Sequence, residues 1–238
     1  IGNTFDLKTL SIVHENSLLE TSNHLWQAIS EGLILPVSDN YKFVKLLGSE
    51  LESQSLDLST QTILYKFLHD RVQQAAYSII PESQKQALHL KIGRLLLKNT
   101  PPEHQEDTIF DLVSQFNRGI DLITFPADQE EVMRLNLIAG KKAKASAAYE
   151  PALDYLTIGL GLLNQDSWKQ QYDLAIALHT ETAEAAYLNG NFEEMERLIA
   201  IVLQHAQNLL DKIKVFEIKI QACTALGKLS EAIDTALT

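Results

Sequence analysis

Apolar and polar residues recur along this chain with two different periods, and the change from one to the other divides it. Residues 5–13 and 17–31 predict two short helices. In the second, Leu18, Leu19, Leu25, Trp26 and Ile29 share a stripe, and Gly32 stands where a C-cap glycine belongs. Leu33–Val37 is a short extended run, Asp39-Asn40 has turn chemistry, and Tyr41–Leu47 predicts another strand. Residues 48–60 are polar, lack a period and are expected to form a loop inserted in a hairpin. Ile63, Tyr65 and Phe67 alternate with Leu64, Lys66 and Leu68, which suits a strand. At His69-Asp70 the period becomes helical, with Val72, Ala75, Ala76, Ile79 and Ile80 on one face. Asp70 is expected to be the N-cap, with Gln73 completing a capping box. Helix, helix, strand, hairpin and helix in this order predict a winged-helix-like head.

Pro81 begins a further helix through Lys98, with Leu88, Ile92, Leu95 and Leu96 on one face. Asn99-Thr100-Pro101-Pro102 ends it and sets the expected boundary between residues 1–100 and residues 101–238. Beyond it everything reads as helix. Ile109, Leu112, Val113, Phe116 and Ile120 form one stripe, and Phe125-Pro126 breaks it. Helices are then predicted at roughly 128–147, 150–164, 167–188, 192–210 and 212–226, and from 229 onward. The stretch Ala186–Met195 resembles Cys223–Ala232, with Gly190 and Gly227 37 positions apart. Ala147–Ala152 fits the same phase, with Tyr149 43 positions before Phe192. A small residue at a helix end, a tight turn, then an aromatic or leucine opening the partner helix marks a helix hairpin. Gly140, Ala152, Gly159, Ala183 and Ala232 fall where paired helices must approach closely. Repeats of this length predict a tetratricopeptide-like α-helical solenoid, so the fold class is mainly α with one small β-hairpin.

Charge narrows the partners. The net charge is −11, and residues 1–98 hold 9 basic and 10 acidic side chains against 11 and 21 in the remainder. An acidic chain repels a phosphate backbone, and residues 17–31, the candidate recognition helix, contain no lysine or arginine. Winged-helix nucleic-acid binding is therefore the alternative reading. Cys223 is the single cysteine, which excludes an internal disulfide, fits a cytoplasmic setting and reads as a helix-packing residue. No apolar run reaches membrane-spanning length, and no signal-peptide pattern opens the chain. The chain begins at Ile1 and stops at Thr238 inside a helical pattern, so a piece of a longer protein is expected.

Catalytic chemistry finds little purchase. Gly227-Lys228-Leu229-Ser230 looks like the end of a phosphate loop, but Ala222 stands where its first glycine belongs and no strand precedes it. His69-Asp70 matches the adjacent pair of metal-dependent phosphohydrolases, yet His14, His24, His89, His104, His179 and His205 show no ligand spacing. Glu193, Glu194 and Glu196 open a helix, where they favour its dipole. Lys141, Lys142 and Lys144 form a dense basic cluster, read as a solvated face or a contact for an acidic patch. No catalytic residue, cofactor site, metal site or small-molecule substrate is expected.

The run from Phe67 through His69, Asp70 and Arg71 to Ser78 is distinctive, as are His89–Leu96, Ile1–Leu7 and Ser30–Ile34. Together they resemble large bacterial signalling proteins, well represented in cyanobacteria. These join a serine/threonine kinase domain, a STAND-type AAA-like ATPase, a helical repeat region, a GAF domain and a sensor histidine kinase. The resemblance spans nearly the whole chain. It implies a segment immediately after the ATPase core, without that family's phosphate-binding and catalytic motifs. It also offers His69, Asp70 and Arg71 as a contact to the ATPase core, beside the plainer reading that Asp70 caps a helix and His69 packs or hydrogen-bonds at the strand–helix junction. It implies that residues 48–60 are an insertion in the wing.

The expected function is regulatory: the head relays nucleotide state, and the arm binds a protein or peptide, including other domains of the parent chain. If the first helix of each pair lines the concave side, repeat phase places Arg134, Lys141 and Lys144 there from one unit. The next contributes Thr180, Glu184 and Tyr187, and the third Lys214, Glu217 and Gln221. Mixed charge with one aromatic suits a peptide or helix better than a small apolar ligand.

Overall fold

The structure, a computed structural model, describes residues 3–41 and 62–237. The described residues are mainly helical with one small three-stranded sheet. The chain divides into two compact units, Ile1–Gln105 with Arg118–Leu122, and Glu106–Asn117 with Ile123–Thr238.

The first unit runs β1 (Thr4–Asp6), α1 (Leu7–His14), α2 (Leu18–Ser30), β2 (Ile34–Pro36), β3 (Leu64–Phe67), α3 (Asp70–Ser78), α4 (Glu82–Asn99) and α5 (Pro102–Gln105). A 3-10 turn at Ile120–Leu122 joins it. Strand order is β1-β3-β2, both pairs antiparallel, with Phe5 opposite Tyr65 and Leu35 opposite Lys66. Phe5, Leu7, Ile34, Ile63 and Tyr65 form the core, and Leu18, Leu25, Ala28 and Ile29 close it from α2.

Three details differ from the sequence reading. Residues 5–13 are not one helix, because β1 pairs with the distant β3 before Asp6 caps α1 by accepting from the Thr9 amide at 2.7 Å. On α2, Leu19 and Trp26 are exposed, while Thr21 is buried with its hydroxyl unpaired. The N-cap of α3 is His69 rather than Asp70, without a side-chain bond, because the chain leaves β3 extended through His69 (φ −144°, ψ 150°). Asp70 lies in the first turn and acts there on the helix dipole. A capping box does occur at α2, where Ser17 and Glu20 satisfy each other's amides, an arrangement worth about 1 kcal/mol. The strand predicted at Tyr41–Leu47 and the loop at 48–60 lie outside the described residues beyond Tyr41.

The second unit contains α6 (Ile109–Arg118, its last residue in the first unit), α7 (Pro126–Ala145), α8 (Tyr149–Gly161) and α9 (Ser167–Gln170). Then follow α10 (Tyr172–Leu188), α11 (Phe192–His205), α12 (Leu209–Ala225) and α13 (Leu229–Ala236). The helix predicted at 167–188 is broken at Gln171 (φ −137°, ψ 44°). Trp168 of α9 stacks on His205 at 4.4 Å and meets His179 at 4.9 Å, which ties α9 to α10 and α11.

Helices α7/α8, α10/α11 and α12/α13 form three hairpins with one turn geometry. Ala147, Gly190 and Gly227 each adopt left-handed φ, at 58°, 79° and 72°. The next residue in each turn, Ala148, Asn191 or Lys228, donates its amide back to Ala143, Ala186 or Cys223, the wide bond of a Schellman motif. Helix α10 packs against α7 and α8 on one side and α11 and α12 on the other. Small residues permit the close crossings. A Cβ on Gly140 would lie 2.4 Å from Leu156 Cγ, and one on Gly159 would lie 2.9 Å from Leu178 Cδ2. Ala152 and Ala183 are fully buried. Cys223 is a buried free thiol among the packing residues of α12.

The left-handed turn generates a test. Ala147 bears a conformational cost that glycine avoids, on the order of 1 kcal/mol. Ala147→Gly is therefore expected to raise the urea midpoint. Gly190→Ala is expected to lower stability by about 1 kcal/mol through backbone strain alone, since a Cβ there meets nothing within 4 Å. Equal midpoints for both variants and the parent would contradict the turn assignment.

Candidate functional site

The first helices of the three hairpins lie side by side and are joined by charge. Lys144 Nζ of α7 donates to Glu184 Oε2 of α10 at 2.6 Å and also to Glu181. Lys141 Nζ is 3.7 Å from Glu181, and Lys214 Nζ of α12 is 3.4 Å from Glu184. The result is a ladder, basic on α7, acidic on α10 and basic on α12. Its centre is sheltered, with the side chains of Lys144, Glu181 and Glu184 exposed by only 16%, 18% and 19%. Burial pulls the Lys144 ammonium down, but bonds to Glu181 and Glu184 outweigh it and hold the group above its usual range. Burial likewise pushes the Glu184 carboxyl up, and Lys144 and Lys214 outweigh it and hold it low.

Four of the nine predicted groove residues, Lys141, Lys144, Glu184 and Lys214, thus belong to one ion-pair network. Glu181 completes it; its signal was its place three residues before Glu184, on the same helical face. Arg134 is exposed and pairs with Glu130 at 2.6 Å; Glu130 also accepts from Gln171 at 2.8 Å. Those bonds, Arg134's first, hold the Glu130 carboxyl below its usual range. Around them opens a cavity of about 610 Å³ lined by Glu130, Arg134, Lys169, Gln170, Tyr172 and Asp173, among others. Tyr172 is anchored there, donating its hydroxyl to Asp211 and accepting from the Gln207 amide at 2.9 Å. Thr180 is half-buried, and Glu217 and Gln221 are exposed on α12. Tyr187 packs on Phe192 at 6.2 Å and on the core between α10 and α11, so it works mainly in hairpin packing.

His69, Asp70 and Arg71 are exposed at the start of α3, with no side-chain bond among the described residues. Gly227-Lys228-Leu229-Ser230 forms the last hairpin turn and the opening of α13. Glu193 and Glu194 lie in the first turn of α11, where Glu194 grips Arg197 through two bonds. Among the described residues, no group of three or more His, Cys, Asp or Glu is placed to hold a metal. No described helix is long and apolar enough to cross a membrane.

The ladder predicts an acid dependence. Because the Glu184 carboxyl is held below its ordinary value of 4.5, its contribution is full above that pH and is lost as pH falls through the lowered value. The Lys144 contribution is full below the ordinary 10.5 and is lost as pH rises through the raised value. Lys144→Gln, which leaves the sheltered Glu181 and Glu184 with only the longer contacts to Lys141 and Lys214, is expected to cost about 1–3 kcal/mol at pH 7. It should also flatten the decline in urea midpoint between pH 6 and pH 3. An unaltered acid profile would show that the pairs do not form.

No family model and no solved structure matches the chain. It is 28% identical over 245 residues to Hybrid signal transduction histidine kinase G of Dictyostelium discoideum, an alignment covering 87% of this chain and 7% of that protein. The chain is thus distantly similar to a small part of a signal-transduction histidine kinase.

Proposed function

We propose that this chain is a non-catalytic regulatory and interaction segment of a large signalling protein, with a winged-helix-like head and a tetratricopeptide-like arm. The observation that carries this reading is the recurrence of one turn geometry at Ala147, Gly190 and Gly227, with three first helices side by side. Stacked hairpins of this kind present a continuous polar surface, and the ladder fixes its register. The open cavity beside Arg134 supplies cations, carboxylates and carboxamides that suit a peptide backbone and its charged side chains. The distant kinase similarity supports a signalling context. Within it, the head would read the nucleotide state of a neighbouring STAND-type ATPase through the exposed His69, Asp70 and Arg71, in a parent that also carries kinase domains. A nucleic-acid role is disfavoured because α2 lacks any lysine or arginine.

The test uses exposed residues outside the ladder. Arg134→Glu and Glu217→Lys together are expected to weaken association with the parent's other domains at least about tenfold, or roughly 1.4 kcal/mol. The thermal midpoint should hardly move, because both side chains face solvent. Unchanged association would remove the first-helix surface as the binding site.

A further inference from the structure

A second surface lies in the first unit, on α4. Lys91, Arg94 and Lys98 fall at i, i+3 and i+7 and are all exposed, so they form one cationic strip. Beside the strip runs a trough of about 350 Å³ whose apolar lining is Ala87, Leu90, Leu95 and Leu122. Leu122 comes from the 3-10 turn and stays 44% exposed.

The wall of the trough is built. A Cβ on Gly119 would lie 2.8 Å from the Gln86 carbonyl oxygen and 3.0 Å from Leu90 Cβ, so only glycine lets this segment approach α4 so closely. Gln86 Nε2 then donates to Asp121 Oδ2 at 2.9 Å and fixes the turn that carries Leu122. Among the described residues, Asp121 is engaged by Gln86, Glu15 pairs with Lys91 and lies within electrostatic reach of Lys98, and Arg94 has an interaction of its own.

We propose that this trough docks an acidic amphipathic peptide segment, its apolar side chains against Leu90, Leu95 and Leu122 and its carboxylates along Lys91, Arg94 and Lys98. Charge complementarity selects the occupant. The chain as a whole carries −11, so it attracts no anion generally, and this strip is a local exception. A phosphate backbone would use the cations and leave the apolar lining idle. A membrane surface calls for protruding apolar side chains rather than a trough. A segment with leucines one helical turn apart and flanking glutamates uses both features at once.

Fluorescence anisotropy with the full chain and a labelled helical probe peptide of Leu, Ala and Glu tests this. The probe carries its leucines on one face, and a control of the same composition scatters them. The amphipathic probe is expected to bind and the scrambled peptide to bind at least about fivefold more weakly. Lys98→Glu and, separately, Leu122→Gln should each weaken the probe by about fivefold or more. Circular dichroism melts of both variants should overlay the parent. Equal binding of the scrambled peptide, or of a single-stranded oligonucleotide, would reduce the strip to a bare electrostatic patch and overturn the proposal. Unchanged affinity in both variants would overturn it too. So would loss of self-association in Lys98→Glu without any peptide binding, which would assign the face to a second copy of the chain.

Discussion

A single left-handed residue at each hairpin turn is the constraint on which the second unit depends. At Ala147, Gly190 and Gly227 the chain reverses in a few residues, and the following amide closes a bond back into the preceding helix. So tight a reversal holds the two helices antiparallel and close, which their crossings must accommodate. Gly140 accepts Leu156 for that reason, and Gly159 accepts Leu178 where α8 meets α10 of the next hairpin. Once each pair is fixed, its apolar face needs a neighbour. Met195, Leu198, Ile199 and Val202 of α11 meet Val215 and Ile218 of α12, all nearly inaccessible. At about 1.5–3 kcal/mol for each large side chain removed from water, these contacts dominate the stability of the unit.

The ion-pair ladder works on a different property. Its members are sheltered, so desolvation offsets much of their attraction, as the opposing influences on Lys144 and Glu184 show. What the alternation of sign supplies is register. A basic α7 and a basic α12 both accept the acidic α10, whereas α7 facing α12 would set like charges together. Charges committed in this way are less open to a partner. The proposed recognition surface then shifts toward the Arg134 cavity and the exposed Glu217 and Gln221.

The hairpins were legible because their signals are local. Gly190 and Gly227 mark turns by themselves, and helical period carries the rest, while Ala147 could be placed only by its phase with them. Strand β1 was not legible, since three residues pair with β3 across most of the first unit and leave no periodic trace. Thr21 escaped because a polar side chain occupies a core position, and Leu19 and Trp26 misled because they are apolar yet exposed. Repeat phase placed Lys144, Glu184 and Lys214 on one face, but their mutual pairing depends on interhelical distance, which no single helix encodes. Tyr187 was drawn into packing by Phe192, a residue whose position in space follows from the turn between them.

A double-mutant cycle across the ladder measures the central claim, that three first helices are held side by side in register. Glu184→Gln is combined in turn with Lys144→Gln and with Lys214→Gln, and unfolding free energies are compared at low salt. Both cycles should give favourable coupling, about 1 kcal/mol or more for the sheltered Lys144 pair and a few tenths for the exposed Lys214 pair. Strict additivity in both cycles would mean that α10 does not sit between α7 and α12, and the stacked-hairpin account would fail with it.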